Sequence, residues 1–491
     1  MSKHPSQGLF LTTSMSTTVG GSTSHSILQT GMGFQQLSLG ALPELGISFV
    51  RVQWVDLTNT VRYRVLPLSY FYRRLQSKQP GLTVAKSVMG VVFDSTVEGF
   101  GPVGEYIYAV DLTSLRVCPY APGNASVFGF FQVKANIGKE VDVPVCPRTI
   151  LQGIVREAEA TLHTKFFVGT ETEFILLKSA VPPVPVNSQG WCASGALMTG
   201  AVETQVMEEI AQALIDAGIE LQLFHSEAVN GQYEVVTGPL PPLEAADVLV
   251  HTRETIYNIA HKHGLRATLA PRLRKNRYGT GAHVHISVQK VAGSPPSPVW
   301  STKPPLTRVE AQFLAGLLEH LPAVSALTLP LPQSYCRMID GMHAGGTWVC
   351  WGIDNREAPI RLTNEAWPES KNFEIKTVDG TSNPYLVLAG LLAAGVIGIR
   401  DQLNLVHENC GDEKTAAEMT KEERESKGIH KRLPLDIEMA RKYLLEDEKL
   451  KQLLGEEAVQ VFVRVNEALG KAINRDGETE DTSETRLIET Y

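Results

Sequence analysis

Pairs of acidic residues recur along this sequence in settings that suit metal binding. The stretch T-E-T-E-F places Glu171 and Glu173 on one face of a predicted strand, and apolar residues flank it. Two buried carboxylates repel each other, and burial raises their pKa values unless a cation lies between them. The stretch H-S-E-A-V-N-G-Q-Y-E adds Glu227 and Glu234, and F-E-I-K adds Glu374. On an exposed strand such pairs would be ordinary, but the apolar neighbours favour a metal site.

The stretch Y-G-T-G-A-H-V-H-I-S at 278–287 joins a glycine turn to an alternating pattern that predicts a strand. On that strand His283, His285 and Ser287 share one face. Glycines such as Gly279 allow backbone to approach a phosphate or a carboxylate closely. A plain hairpin with two half-buried histidines remains an alternative for this stretch alone. Carboxylates with an imidazole suit Mg²⁺ or Mn²⁺ better than zinc.

Cationic side chains follow further along the chain. Arg337 lies in Q-S-Y-C-R, Arg356 and Arg361 lie in D-N-R-E-A-P-I-R, and Lys376 shares a predicted strand face with Glu374. Arginine binds carboxylate and phosphate oxygens in a two-pronged manner, although surface salt bridging is the ordinary role of any single arginine. Acidic strands, a glycine turn and arginines together indicate phosphoryl transfer from a metal nucleotide, in which cations neutralise charge on the γ-phosphate.

Alternating strands and helices are predicted to position these residues, so we expect an α+β fold. The pattern over 47–67 predicts two strands joined by a turn at Asn59, and a Pro-rich stretch at 141–150 marks a boundary. Beyond it, periodicity predicts helices over 149–162, 202–218 and 242–264, and strands over 166–177, 219–225 and 266–271. The apolar run from Tyr385 to Ile399 is too short to span a bilayer comfortably, which predicts a buried helix.

Composition excludes several classes of protein. A net charge of −8 and a pI near 5.9 give no basic footprint for nucleic acid. Six scattered cysteines without a C-x-x-C pair predict reduced thiols in a cytoplasmic protein. Residues 1–40 are rich in Ser, Thr and Gly and carry neither a signal nor a transit pattern, so we expect a disordered arm and no membrane partner.

The motifs, taken in order, resemble the glutamine synthetase family over roughly residues 45 to 491. The resemblance rests on W-V-D, G-T-E-T-E-F, S-E-A-V-N-G-Q-Y-E, G-T-G-A-H-V-H-I-S, S-Y-C-R, W-G-I-D-N-R-E-A-P-I-R and F-E-I-K-T-V-D-G-T-S-N-P-Y-L. It implies a small β-grasp N-terminal domain, which we place at 41–143, and a larger catalytic domain with a funnel-like active site at 144–491.

The resemblance also implies a role for each candidate residue. Glu173, Glu227 and Glu234 would hold the metal nearer the acid substrate, and Glu171, His283 and Glu374 the metal that bridges the ATP phosphates. Asp56 would accept a proton, and Arg356 and Arg361 would balance the phosphoryl charge. Gly279, Arg337 and Lys376 would contact the substrate. His285 and Ser287 would lie in the nucleotide pocket.

The implied reaction has two steps and needs Mg²⁺ or Mn²⁺. A γ-carboxylate, from glutamate or a similar acid, attacks ATP to give an acyl phosphate, and an amine then displaces phosphate. In this family the active site borrows the residue corresponding to Asp56 from a neighbouring subunit, so we expect a homo-oligomeric ring, a decamer or dodecamer.

The sequence departs from the ammonia-using members of the family on the acceptor side. The family's asparagine before the glycine turn is Tyr278, its carboxylate-gripping arginine is Lys376, and a nearby glycine is Asn59. The flap glutamate that closes the ammonium pocket is missing, and His343 or Ala344 lies at about its position. These departures favour a ligase that forms a γ-glutamyl amide with an organic amine. The alternatives are glutamine synthetase itself, a non-catalytic structural or signalling member, and a guanidino kinase on a related fold.

Overall fold

Helices and strands are both abundant in this chain, as the α+β prediction requires. The computed structural model describes residues 37–77, 81–134, 142–273, 278–302, 304–411 and 414–491. Nearly all of the predicted arm at 1–40 therefore lies outside the described residues. The division into domains at residue 143 stays a prediction.

The N-terminal part is built from small sheets. Strand β1 pairs antiparallel with β2 and parallel with β8, so this sheet is mixed. Its described strands run in the order β2-β1-β8-β7, while β3-β6-β9 form a second sheet and β4-β5 a hairpin. The bounds are β1 Phe49–Val55, β2 Val61–Pro67, α1 Leu68–Leu75, β3 Leu82–Ala85, β4 Val91–Val92, β5 Ser95–Thr96, β6 Glu105–Val110, β7 Arg116–Val117, β8 Asn124–Val127 and β9 Gly129–Val133.

A large sheet follows and carries most of the acidic motifs. Its described strands run in the order β12-β13-β10-β15-β20-β19-β18, and β11 and β14 also pair with β10. The bounds are β10 Thr164–Ala180, β11 Pro183–Pro185, β12 Leu221–Ser226, β13 Gln232–Leu240, β14 Arg266–Thr268, β15 Val284–Lys290, β16 Val299–Thr302, β17 Pro305–Thr307, β18 Trp351–Ile353, β19 Ile360–Thr363 and β20 Asn372–Ile375. Strands β16 and β17 form a separate hairpin.

Helices pack against this sheet and supply the core. Their bounds are α2 Pro147–Leu162, α3 Val202–Asp216, α4 Pro242–Lys262, α5 Arg308–Thr328, α6 Pro332–Tyr335, α7 Pro384–Arg400, α8 Lys421–Ser426, α9 Ile437–Glu446, α10 Glu448–Leu454, α11 Glu456–Ile473 and α12 Glu480–Thr490. Every residue of α7 up to Ile399 is buried, which confirms the predicted buried helix. Among the described residues, no helix is both long and apolar enough to cross a membrane.

Helices α5 and α7 cross at glycines. A Cβ on Gly316 would collide with the carbonyl oxygen of Ala394, and a Cβ on Gly398 would collide with that of Gln312. The two backbones are therefore in direct contact at this crossing, which a larger residue would force apart. Helix α7 begins with its N-cap Asn383, whose side chain accepts hydrogen bonds from Tyr385 N and Leu386 N.

The predicted elements agree with the structure in kind and differ at their ends. The turn between β1 and β2 contains Asn59 in a left-handed conformation, with φ of 65°. The strand expected to carry both histidines begins at Val284, so His283 is the residue immediately before β15. Its carbonyl still accepts a hydrogen bond from Glu171 N at 3.1 Å, so the sheet holds it in line with β10.

Candidate active site

A cavity of about 660 Å³ opens beside the large sheet. Most of the residues that the motifs single out line it: Glu171, Glu173, Glu227, Glu234, Gly279, His283, Arg337, Arg356, Arg361, Glu374 and Lys376. Asp56, His285 and Ser287 are not among its lining residues. The motifs lie far apart in the sequence, and the fold brings most of them to one place.

Strand register explains how the carboxylates meet. Glu173 on β10 lies directly opposite Glu234 on β13. On the other side of β10, Gly169 lies opposite His285 on β15, and His285 lies opposite Glu374 on β20. Glu374 in turn lies opposite Arg361 on β19. Because directly opposed residues on paired strands project to the same face, the sheet gathers these charges at its surface.

One group of potential metal ligands is centred on Glu171. Its Oε2 lies 2.7 Å from His283 Nδ1, and its Oε1 lies 2.9 Å from His285 Nε2. His283 Nδ1 is also 3.4 Å from Glu374 Oε1. Burial alone would raise the pKa of Glu171, but the hydrogen bonds from the two histidines hold that pKa well below its usual range. Glu171 is therefore ionised at neutral pH.

A second group is centred on Glu234. Its Oε1 lies 3.2 Å from His225 Nε2, and His225 Nδ1 lies 3.7 Å from Glu227 Oε1. Burial, together with the nearby charges of Glu171, Glu173 and Glu227, raises the pKa of Glu234 to about 8. The hydrogen bond to Glu234 raises the pKa of His225 to about 9. Without a cation, this part of the cavity therefore retains protons that a metal would displace.

These two groups fit a hard divalent cation. Donor atoms of Glu171, His285 and Glu374 lie within 4.8 Å of one another, and so do those of His225, Glu227 and Glu234. Carboxylate oxygens outnumber nitrogens in both sets, as Mg²⁺ and Mn²⁺ require. Burial and the neighbouring carboxylates raise the pKa of Glu234, and a bound cation would oppose that rise. The residues present thus fit the predicted metals.

Cationic side chains, two of them buried, face the carboxylates. Arg361 Nε lies 2.6 Å from Glu374 Oε2, and Lys376 Nζ lies 3.1 Å from Glu374 Oε1. Arg337 is 3% exposed, and its Nη2 donates to the carbonyl oxygen of Lys376 at 3.0 Å. Burial lowers the pKa of Arg337, and the negative charge of Glu173 opposes that effect. Arg356, by contrast, is exposed at the mouth of the cavity.

Neighbouring side chains crowd the turn at 279–281, so a Cβ atom has no room at Gly279 or Gly281. Gly281 N donates to Glu173 Oε2 at 2.7 Å, and a Cβ on Gly281 would lie 2.8 Å from both Arg337 Nη2 and His283 Nε2. A Cβ on Gly279 would lie 2.6 Å from Arg337 Cγ. The turn therefore lets backbone reach the carboxylate and the guanidinium directly.

The candidates outside the cavity lining have other partners. His285 Nδ1 lies 2.9 Å from Asn372 Oδ1, and Ser287 Oγ donates to the carbonyl oxygen of Lys371 at 3.2 Å. Both residues thus lie on β15 and outside the cavity lining. Their expected place near a nucleotide stays a prediction.

Asp56 lies in the N-terminal part, in the turn that follows β1. It is fully buried, and its carboxylate accepts from Arg62 Nε at 2.6 Å and from Thr58 N and Thr60 N. The neighbouring carbonyl oxygen of Thr58 accepts from the hydroxyl of Tyr491 at 2.6 Å. Burial raises the pKa of Asp56, although Arg62 and Thr58 oppose that rise. The turn is thus held by bonds to remote segments of the same chain.

Other lining residues were not singled out from the sequence. His225 lies within the quoted H-S-E stretch, two residues before Glu227, so the motif contained the signal. Gln232, from the same motif, lies behind the lining, where its Nε2 donates to Glu173 Oε2 at 2.9 Å. Trp191 and Cys192 also line the cavity, and no periodic pattern marks them.

The segment 340–347 borders the cavity through Met342, His343 and Ala344. Asp340 Oδ1 accepts from Thr347 N at 2.8 Å, which closes the base of this loop. Glu357 lies beneath it and accepts hydrogen bonds from Gly341 N and His343 N. Glu357 thus sets the path of the loop without lining the cavity.

Comparisons with known proteins agree on one family. The family described as "Glutamine synthetase, catalytic domain" matches residues 144–479. Protein fluG of Emericella nidulans is 35% identical and covers 87% of this chain, which spans only 47% of that relative, about half its length. Gamma-glutamylpolyamine synthetase GlnA3 of Streptomyces coelicolor is 28% identical over 90% of this chain and 93% of its own. A solved structure titled as a novel glutamine synthase homolog superposes with a TM-score of 0.74 at 26% identity, covering 91% of this chain and 99% of that one.

Proposed function

This chain belongs to the glutamine synthetase family, and on that premise we propose that it is an ATP-dependent ligase that joins the γ-carboxyl group of glutamate, or of a close analogue, to an organic amine. At the level of the family, relatives that form glutamate–amine bonds support the ligase class. The acceptor, the acid and the residue roles belong to the proposal.

The observation that carries the proposal is the gathering of opposed charges in one cavity. Five carboxylates and His283 line it together with Arg337, Arg356, Arg361 and Lys376. Buried charge is costly unless it is paired or binds a ligand, and here both signs face the same space. A nucleotide phosphate and an acid substrate would complete this arrangement. A purely structural or signalling member of the family would gain nothing from maintaining it.

Glu173, Glu227 and Glu234 would hold one Mg²⁺ or Mn²⁺ ion, and Glu171, His283 and Glu374 a second. Such ions screen phosphate charge and polarise the transferred phosphoryl group. The chain's own cations contribute separately: Arg361 and the exposed Arg356 would balance charge on the transferred phosphoryl group. His285 and Ser287 remain the residues proposed to lie near the nucleotide.

In the first step the γ-carboxylate of the acid attacks the γ-phosphorus of ATP, which breaks the bond to ADP and forms an acyl phosphate. Gly279, Arg337 and Lys376 would position the acid, with Lys376 supplying a point charge where the family has an arginine. In the second step the amine nitrogen attacks the acyl carbon, and phosphate leaves with the bonding electrons. The attacking nitrogen must lose a proton, and Asp56 is the proposed acceptor because burial raises its pKa and so its basicity.

An organic amine is favoured over ammonia by the acceptor side of the cavity. His343 or Ala344 occupies approximately the position of the flap glutamate of the family, so the negative charge that would attract an ammonium ion is missing. One of the similar proteins is named for a polyamine acceptor, which supports organic amines as acceptors within the family.

We also propose that the active enzyme is a homo-oligomeric ring. Every lining residue named for this cavity in the described chain lies at Glu171 or beyond, so the N-terminal part of the same chain does not complete it. If Asp56 acts in catalysis, it must then come from a second copy. Size-exclusion chromatography with light scattering should give a decamer or dodecamer, and a fully active monomer would contradict this.

The test of the proposed function is ADP release from Mg²⁺- or Mn²⁺-ATP with glutamate and a panel of primary amines, with product mass as the second readout. We expect turnover that needs the acid, the amine and the metal, and a γ-glutamyl amide as product. If sub-millimolar ammonia saturates the enzyme and no organic amine competes with it, the reaction is glutamine synthesis instead. Absence of turnover with every acceptor would support the non-catalytic alternative.

A further inference from the structure

Three rings stand side by side along the acceptor side of the cavity: Trp191, Tyr278 and His343, which we call the aromatic wall. The rings of Trp191 and Tyr278 meet edge to face, with centroids 4.9 Å apart and an interplanar angle of 82°. Tyr278 and His343 are nearly parallel, at 19°, with centroids 5.9 Å apart. The wall therefore joins three separate loops into one surface.

The backbone pays a conformational cost to hold this wall. Trp191 and Cys192 both have φ of 55°, and His343 has φ of 54°. Bulky residues rarely adopt this left-handed region, and such outliers cluster at ligand sites. Neighbouring bonds fix the conformation: Trp191 N donates to the carbonyl oxygen of Glu227 at 2.6 Å, and His343 N donates to the Glu357 carboxylate.

The wall has ring surface available for a ligand. Trp191 is 60% exposed and the His343 side chain 51% exposed, although both line a cavity in a folded protein. An edge-to-face pair leaves one ring with both faces uncovered by the other, and aromatic rings stack best on another planar ring. Met342 and Ala344, the chain neighbours of His343, add apolar atoms to this part of the lining.

The charges nearby disfavour a polyamine. The lining carboxylates are the ones proposed to hold the two metal ions: Glu171, Glu173, Glu227, Glu234 and Glu374. A second ammonium group on the acceptor would have to compete with those ions for the same oxygens. An uncharged planar tail would face no such competition.

From this geometry we infer that the acceptor is a primary amine carrying an aromatic ring, which stacks on the aromatic wall while its nitrogen reaches the acyl carbon. This inference rests on the proposed function and names its acceptor class. The chemistry is that of the second step: a C–N bond forms, the C–O bond to phosphate breaks, and the nitrogen loses its proton to a base.

The test compares acceptors of matched size and shape in the ADP-release assay: 2-phenylethylamine, 2-cyclohexylethylamine and putrescine, with ammonia alongside. We expect kcat/KM for the phenyl amine to exceed that for the cyclohexyl amine by roughly three- to tenfold, the range given by aromatic stacking. Equal values for the two, or a higher value for putrescine or ammonia, would overturn the inference.

Substitutions in the aromatic wall test whether the preference for the phenyl amine arises there. Trp191→Leu should abolish the phenyl-over-cyclohexyl ratio, whereas Trp367→Leu, which changes a tryptophan of similar exposure outside the cavity lining, should preserve it. His343→Phe should keep the ratio and His343→Ala should reduce it, which separates a stacking role from a proton-transfer role. An unchanged ratio in Trp191→Leu would assign the preference elsewhere and refute the wall.

A failure of the proposed function gives a different result. If no acceptor supports acid-dependent ADP release, the ligase proposal fails, and calorimetric titration of 2-phenylethylamine then tests the wall directly. Binding that is lost in Trp191→Leu and kept in Trp367→Leu would sustain the wall as an aryl-amine site. No measurable binding to the unmodified protein would overturn it.

Discussion

On the metal and phosphate side of the cavity most candidate residues sit on neighbouring strands or next to a strand end, whereas on the acceptor side they sit on loops. Glu173 and Glu234 are placed by the ladder between β10 and β13, and many backbone bonds share that task. Trp191 and His343 depend on left-handed residues and on single hydrogen bonds to Glu227 and Glu357. We infer that the strand side tolerates few substitutions that alter the charge or chemistry of its residues. The loop side tolerates substitutions that alter the shape of the acceptor site.

The largest expected effect comes from breaking the strand side. In Glu173→Ala and in His283→Ala, metal-dependent ATP turnover should fall by roughly 10²–10³-fold, the loss typical of removing one preorganised electrostatic group. Circular dichroism and thermal melting should show that the fold survives. Glu209→Ala is the matched control, because it removes an ion-paired carboxylate outside the cavity lining. Full activity in the two variants would show that the metal assignment is wrong.

A smaller effect should follow from loosening the loop side. Glu357→Gln weakens the hydrogen bonds from Gly341 N and His343 N to a charged acceptor, so the loop at 340–347 should lose its fixed path. We expect KM for the amine to rise roughly tenfold, as for loss of a charged hydrogen bond, with KM for ATP nearly unchanged. Steady-state kinetics with each substrate varied in turn measures both. An equal rise in the two constants would contradict a role confined to the acceptor side.

The pH dependence of stability sharpens the comparison further. The folded-state pKa values of Glu234, about 8, and His225, about 9, both lie above their usual values. The folded protein therefore binds more protons than the unfolded chain, and the metal-free protein should become less stable as pH rises from 6 to 9. We expect Tm to fall by roughly 3–6 °C for this reason.

Scanning calorimetry with and without Mn²⁺ checks this result. Mn²⁺ should oppose the fall, because it replaces the displaced protons as the counter-charge. His225→Asn should flatten the metal-free profile, since it removes one titrating partner. A metal-free Tm that rises between pH 6 and 9 would contradict the assigned charge states.

The smallest effect concerns the loop that carries Asp56. Tyr491→Phe removes the hydroxyl that donates to the carbonyl oxygen of Thr58, so one buried acceptor is left without this partner. We expect Tm to fall by roughly 1 °C, the effect of one hydrogen bond in a chain of this size. Tyr70→Phe, on an exposed helical position, serves as the control and should leave Tm unchanged. A Tyr491→Phe protein that melts like the unmodified one would show that the turn is held by its other bonds.

The same contrast explains what could be predicted from the sequence. Alternation over β10 placed Glu171 and Glu173 on one face, and the family resemblance implied which other residues would bind metal beside them. The α+β fold class and the buried helix at 385–399 are confirmed. These features follow from local periodicity or from motifs with fixed spacing.

The loop side was not predictable in this way. The contact of Trp191 with Tyr278 joins loops that β12, β13 and β14 separate in the sequence, and no periodic signal encodes such a pairing. The left-handed conformation of Trp191 is a further case, because its residue type argues against that region and only the surrounding bonds enforce it. Loops are set by tertiary contacts, which sequence patterns do not report.

The glycine crossing of α5 and α7 has a consequence for anyone wishing to change this protein by laboratory evolution. Gly316 and Gly398 have no space for even one added methyl group, because each faces backbone of the opposite helix. Helix α7 begins at Pro384, shortly after the lining residue Lys376, so a displaced helix would disturb this part of the cavity lining. Libraries should therefore leave the two helices untouched and concentrate diversity at positions such as Leu223 and Met342, where side chains meet open space.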